Sequence, residues 1–164
     1  MHLGYGKEQG GDTNKELWNY STNENLIGLD LVGYVKSDWA TIRDSAANEL
    51  RRDSRYNWIR QFDMFCEGMA DYSMGVGDIV LVIKGWNSIL GIAEVTSNHI
   101  YRPELAARRD GKFFDHVRKV KWIKKYGYGK PLEISPIKGF DNTLNIVKLG
   151  SKRWSQLVTM EIDR

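Results

Sequence analysis

The side chains most apt to hold a metal are scarce in this chain. There are three histidines, His2, His99 and His116, and one cysteine, Cys66. Metal sites built from such residues usually show short ligand spacings. Here the histidines are scattered and the cysteine stands alone, so the sequence predicts no metal centre and no cofactor. GYGKEQGG and GYGKPL look like phosphate loops, but neither has the spacing G-x-x-x-x-G-K-[ST], and both read as turns. No G-x-S-x-G elbow is present. Asp44 and Glu49 fall on the wet side of a predicted helix. With no catalytic constellation, the chain is expected to bind rather than to catalyse.

Charge suggests what it binds. Between Arg102 and Lys130 there are ten Lys and Arg against three acids, a local +7. The whole chain carries +3, so the remainder carries −4. A block of this kind marks either a polyanion contact or a solvated, lysine-rich strand and loop. Hydrophobic residues make up 41% and charged residues 27%, as in ordinary globular proteins, and 164 residues fit one domain, 1–164. The single cysteine cannot form an internal disulfide, the N-terminus lacks an apolar signal core and no window approaches a membrane span. A cytoplasmic protein, or a domain cut from one, is the expectation.

The elements that must position these residues follow from periodicity. Residues 1–25 are polar, with Tyr5, Trp18 and Tyr20 as large anchors and no predicted helix. NLIGLDLVGYV reads as a buried strand with a turn. In SDWATIRDSAANELRRDS, Trp39, Ile42, Ala46 and Leu50 recur at helical spacing. A second helix over 56–70 would bury Ile59, Phe62 and Phe65 or Cys66, and both Trp39 and Trp58 read as core. From Gly75 the pattern turns to strands. DIVLVIK and SILGIAEVTS form a hairpin across GWN, and FFDHVRKVKWI is a third strand. His116 and Arg118 share parity with Phe114, Val120 and Trp122, so either a bulge turns them outward or they point into a polar hollow on the concave side. PLEISPI is a weak edge strand broken by Pro136. A strand or turn carrying Lys152, Arg153 and Trp154, then a short helix, would end the chain. The fold class is α+β, one curved sheet with a few helices.

GDIVLVIKGWNSILGIAEVTSNHIYRPE, followed by HVRKVKWI, resembles the EVE and YTH branch of the PUA-like superfamily. It is most similar to the EVE-like N-terminal DNA-recognition domains of McrB-type modification-dependent restriction systems. Upstream, LWNYSTNENLIGLD is similar to that family's short I-G-[aromatic]-D strand, with Leu29 where many relatives carry tryptophan. The likeness covers roughly residues 18–125 and fades beyond. It implies a PUA-like open curved β-barrel whose pocket receives one flipped nucleobase.

Carried over by position, the resemblance implies a base pocket at Leu29, Asp30 and Tyr101, with Trp18 and Tyr5 as further candidates. Asp30 would accept a hydrogen bond from an exocyclic amine or cap the adjacent turn. Tyr101 would face the base or anchor its own loop. Trp18 would stack or cover the barrel end, and Tyr5 would close the pocket. Trp86, at the hairpin tip, is either a wedge entering the duplex or an indole folded back on its hairpin. Phosphate contacts fall to Lys84, Arg102, Arg108, Arg109, Lys152 and Arg153. Arg118, with Lys119 and Lys121, also belongs to that basic set and is partly structural.

The expected function is therefore recognition of a modified base (5-methylcytosine, 5-hydroxymethylcytosine or N6-methyladenine) in double-stranded DNA. A restriction motor or nuclease would be supplied by another domain or subunit. Two alternatives stand beside it: a YTH-like reader of methylated RNA, and a PUA-like interaction domain with no nucleic-acid partner.

Overall fold

The computed structural model describes residues 11–29, 39, 43–44, 56–66, 73–84, 87–102 and 116–134. The first element is a helix, α1 (Gly11–Glu24), where the sequence suggests none. Its residues are mostly polar, and Trp18 is its main anchor, with Tyr20 packed against Leu26 and Val117. Trp18 is 3% exposed and Ser21, one turn on, is buried. Thr22 Oγ1 donates back to Trp18 O at 3.0 Å, and Asn25 ends the helix at φ +54°, a left-handed conformation asparagine tolerates. The chain then enters β1 (Leu26–Leu29).

Helix α2 (Tyr56–Cys66) is set by apolar residues one turn apart, with Ile59, Phe62 and Phe65 buried as the spacing predicts. Gln61, Asp63, Met64 and Cys66 are buried too, so more than one face is covered. Asp63 explains the second face. Its carboxylate accepts Arg43 Nε at 2.8 Å, Arg43 Nη2 at 2.9 Å and Trp39 Nε1 at 3.0 Å. This two-pronged pair, which raises the Arg43 pKa above its usual value through the hydrogen bonds to Asp63, ties the helical residues Trp39 and Arg43 onto α2. Trp39 is fully buried as expected.

A GVGD turn starts the sheet. Gly77 takes φ +94°, which a side chain would resist, and the Asp78 carboxylate accepts the Gly75 amide at 2.8 Å. Then come β2 (Ile79–Lys84), β3 (Ser88–Val95), β4 (Ile100–Tyr101), β5 (His116–Lys125) and β6 (Leu132–Glu133). All pairings are antiparallel, in the order β1-β5-β3-β2, with β4 beside β5 and β6 beside β3. The sheet curls into a half-barrel, which agrees with the expected α+β class. The strand expected from PLEISPI is Leu132–Glu133, held at the edge by Ser88 Oγ donating to the Glu133 carboxylate at 3.1 Å.

The main core lies between the concave face and the helices, with Trp18, Ile27, Phe62, Phe65, Val82 and Val95 among its members. A smaller cluster of Ile83, Ile89 and Ile92 sits apart from it, backed by Leu81, Tyr126, Leu132 and Ile134. The central strand β3 is thus buried along nearly its whole length. No helix among the described residues is long and apolar enough to cross a membrane.

Candidate functional site

Strand β5 organises the site because its two faces differ beyond Val117, which is itself buried against Leu26. His116, Arg118 and Val120 point inward and are buried, Trp122 is half-buried, and Lys119 and Lys121 point outward and are exposed. Of the two readings of His116 and Arg118, the inward one holds. The strand does carry a bulge, but at Ile123, where Ala93 pairs with Trp122 and Ile92 with Lys124. That lies too far along to rotate His116.

Arg118 is fully buried and serves structure, so the expected phosphate contact is corrected. Its Nε donates to Phe65 O at 2.7 Å and its Nη1 to Ser97 O at 3.1 Å. The guanidinium therefore clamps the C-terminal turn of α2 to the stretch after β3, and cannot reach a backbone phosphate. Burying such a charge is costly unless its donors are satisfied, which two aligned carbonyls help to do.

At the start of β5, Leu29 of β1 and Tyr101 of β4 both stand in register with His116. Two positions expected in the base pocket thus lie on one row across three strands. Tyr101 is half-buried, and its ring meets His116 at 5.1 Å between centroids with a 36° tilt. His99 meets His116 edge to edge and nearly coplanar, with centroids 5.1 Å apart and 14° between the planes, and with His99 Nε2 only 2.8 Å from His116 Nδ1. Cys66, at the end of α2, brings its Sγ to 3.9 Å from the same His116 Nδ1. Phe62 and Phe65 meet the two imidazoles edge-on.

His99 reaches this place through a local irregularity. Between the pairs Val95↔Val120 and Ile100↔Val117, β5 advances three residues while its partner advances five. The two extra residues leave the ladder and turn the chain, as bulges beside functional sites commonly do. Ser97 fixes the detour: its Oγ accepts the Lys119 amide at 2.8 Å and donates to Asn98 O at 2.8 Å.

Trp18 belongs elsewhere, which corrects its place among the pocket candidates. It covers the opposite end of the barrel, the other role open to it. Its Nε1 donates to Tyr126 O at 3.0 Å, and its ring meets Trp122 edge-on at 5.1 Å. Both indoles press on Gly91, where an added Cβ would lie 2.7 Å from Trp18 and 2.8 Å from Trp122. Trp122 is six strand residues from His116, roughly 20 Å away.

Lys84 is half-buried; its ammonium donates to Tyr128 O at 3.3 Å and sits 4.2 Å over the Tyr128 ring. Arg102 is half-buried directly after Tyr101. Tyr5, Asp30, Trp86, Arg108, Arg109, Lys152 and Arg153 lie outside the described residues, as does the Leu29 side chain. What sequence spacing missed is the grouping of Cys66, His99 and His116, whose ligand atoms all lie within 4.8 Å of one another. The inward parity of His116 was the signal for it.

Residues 5–147 match the family described as a domain of unknown function (DUF8426). The chain belongs to that family. No curated protein and no solved structure matches it. The match takes in every described element of this DUF8426 chain, from α1 to β6.

Proposed function

We propose that this DUF8426 chain is a PUA-like, EVE/YTH-type module that binds duplex DNA and reads a modified base for a modification-dependent restriction system, leaving catalysis to another domain or subunit. The observation that carries the reading is the outward face of β5, where Lys119 and Lys121 are both exposed. Alternate strand residues are about 6.7 Å apart, so these two ammonium groups stand in line along the strand. No ion pair among the described residues uses them. The curled half-barrel and the half-buried Tyr101 beside β5 support the same reading.

The energetics fit a divided labour. Extruding a base from the stack costs a few kcal/mol. Stacking on an aromatic such as Tyr101 returns about 1–3 kcal/mol. Phosphate contacts add affinity that is blind to sequence and weakened by salt. One methyl group is worth only about 0.8 kcal/mol of burial, so selection for it needs a close-fitting wall. In this reading Leu29, Tyr101 and Asp30 form the wall, with Asp30 accepting from an exocyclic amine. Tyr5 closes over the base and Trp86 fills the gap in the duplex. Arg102, Arg108, Arg109, Lys152, Arg153 and Lys84 join the lysine pair on the phosphates.

The test is a binding panel on the full chain: unmodified, 5-methylcytosine, 5-hydroxymethylcytosine and N6-methyladenine duplexes, with methylated single-stranded RNA as competitor. Preference for one modified duplex supports the proposal. Preference for the RNA supports the YTH-like alternative, and no salt-dependent binding to any of them leaves an interaction domain.

A further inference from the structure

We propose that Cys66, His99 and His116 form a binding site for one zinc(II) ion, which pins the end of α2 to β5 and to the turn before β4. Nothing in this proposal rests on the DNA-binding reading. Three elements far apart in sequence deliver three side chains of the types that zinc prefers, a thiolate and two neutral imidazoles. Cys66 and His116 are buried, and His99 is half-buried on the side nearer solvent.

Distances support a common centre. With Zn–N about 2.05 Å and Zn–S about 2.3 Å, a tetrahedral site has edges of about 3.3 Å between nitrogens and about 3.6 Å from nitrogen to sulfur. The corresponding separations are 2.8 Å for His99 Nε2 to His116 Nδ1 and 3.9 Å for Cys66 Sγ to His116 Nδ1, each within about 0.5 Å of those edges. The remaining edge is under 4.8 Å. That edge must shorten by up to about 1.2 Å, through side-chain rotation, for the three ligands to close on one ion.

A hydrogen bond between the two histidines would explain the 2.8 Å contact alone. It does not explain why the thiol approaches the same nitrogen. An imidazole nitrogen has one in-plane lone pair or one hydrogen, so His116 Nδ1 cannot point fully at both His99 Nε2 and Cys66 Sγ. Donors crowding one position in this way are what ligands around a shared cation require. Packing against Phe62, Phe65 and Tyr101 fixes the rings.

The proton balance is simple. The thiol loses its proton to solvent as sulfur takes the metal. Each neutral imidazole keeps one hydrogen, on His116 Nε2 and on His99 Nδ1, so one proton leaves per ion bound. Among the described residues the cluster offers three ligands, which leaves a fourth position for water or another donor, the arrangement of open rather than closed zinc sites.

The experiment uses the full chain stripped with chelator and kept reduced. Zinc(II) is titrated with calorimetric detection, and cobalt(II) serves as the optical probe. Expected are one zinc per chain, a higher melting temperature on loading, and a sulfur-to-cobalt charge-transfer band. Cys66→Ser should abolish that band, and His99→Gln should weaken zinc binding by at least about 100-fold, since loss of a direct ligand exceeds the 10–100-fold effect of an outer partner. His99 is half-exposed, so His99→Gln should keep the fold, and circular dichroism checks this. The proposal is overturned by absent zinc uptake, by affinity unchanged in both variants, or by rapid alkylation of Cys66 that zinc does not slow. Copper(II) uptake with no zinc uptake also overturns the zinc assignment.

Discussion

His99 Nε2 lies 2.8 Å from His116 Nδ1, although seventeen positions of sequence separate the two residues. The contact exists because the partner of β5 leaves its ladder after Val95 and rejoins it at Ile100 with two residues to spare. Ser97 holds that detour in place, accepting the Lys119 amide at 2.8 Å. Ser97→Ala should therefore lower stability by about 1 kcal/mol, the usual worth of one neutral hydrogen bond, seen as a lower urea midpoint at unchanged slope. A midpoint equal to that of the wild type would show that the detour does not depend on the hydroxyl.

At the other end of the barrel, Gly91 is required by close approach. A methyl there would meet ring carbons of Trp18 and Trp122 at 2.7 and 2.8 Å and the Lys124 carbonyl at 3.1 Å. The carbonyl is backbone and cannot swing aside. Gly91→Ala should cost about 1–3 kcal/mol, as overpacking does, and thermal denaturation measures it. A stabilised variant would mean that the two indoles are loosely held.

Arg118 should not tolerate replacement by lysine. Its guanidinium serves Phe65 O through Nε and Ser97 O through Nη1, and a single ammonium cannot reproduce that fork. Arg118→Lys should lose about 1.5–3 kcal/mol, the worth of a charged hydrogen bond, in chemical denaturation. Full stability in that variant would sink the clamp.

Much of the fold was legible because it depends on local periodicity. The hairpin of β2 and β3, the apolar face of α2 and the alternation along β5 all follow from spacing within one element. α1 was not legible. One tryptophan on a polar helix gives no stripe, and its burial depends on Gly91 and Trp122 far along the chain. The Cys66, His99 and His116 cluster was hidden for the same reason, since its spacing is set by strand register and by the two extra residues before β4. Trp18 and Arg118 stayed open between two roles because an indole or a guanidinium reads alike in sequence whether it meets a ligand or its own backbone.

The lysine pair offers a prediction separable from base reading. Replacing Lys119 and Lys121 together with glutamine should leave stability nearly unchanged, since both are exposed. Each phosphate contact contributes about 0.9 to the slope of log affinity against log salt, so the double variant should flatten that slope by about 2. A slope equal to that of the wild type would move the phosphate track off β5.

The most direct measurement is the ratio of affinities for a modified and an otherwise identical unmodified duplex, taken by fluorescence anisotropy at fixed salt for the wild type and for Tyr101→Ala. A close-fitting aromatic wall predicts a wild-type ratio of about 10 or more for one of the modifications, falling toward 1 when the ring is removed. A wild-type ratio of 1 for every modification, or one that survives Tyr101→Ala intact, would contradict base reading at this end of the half-barrel.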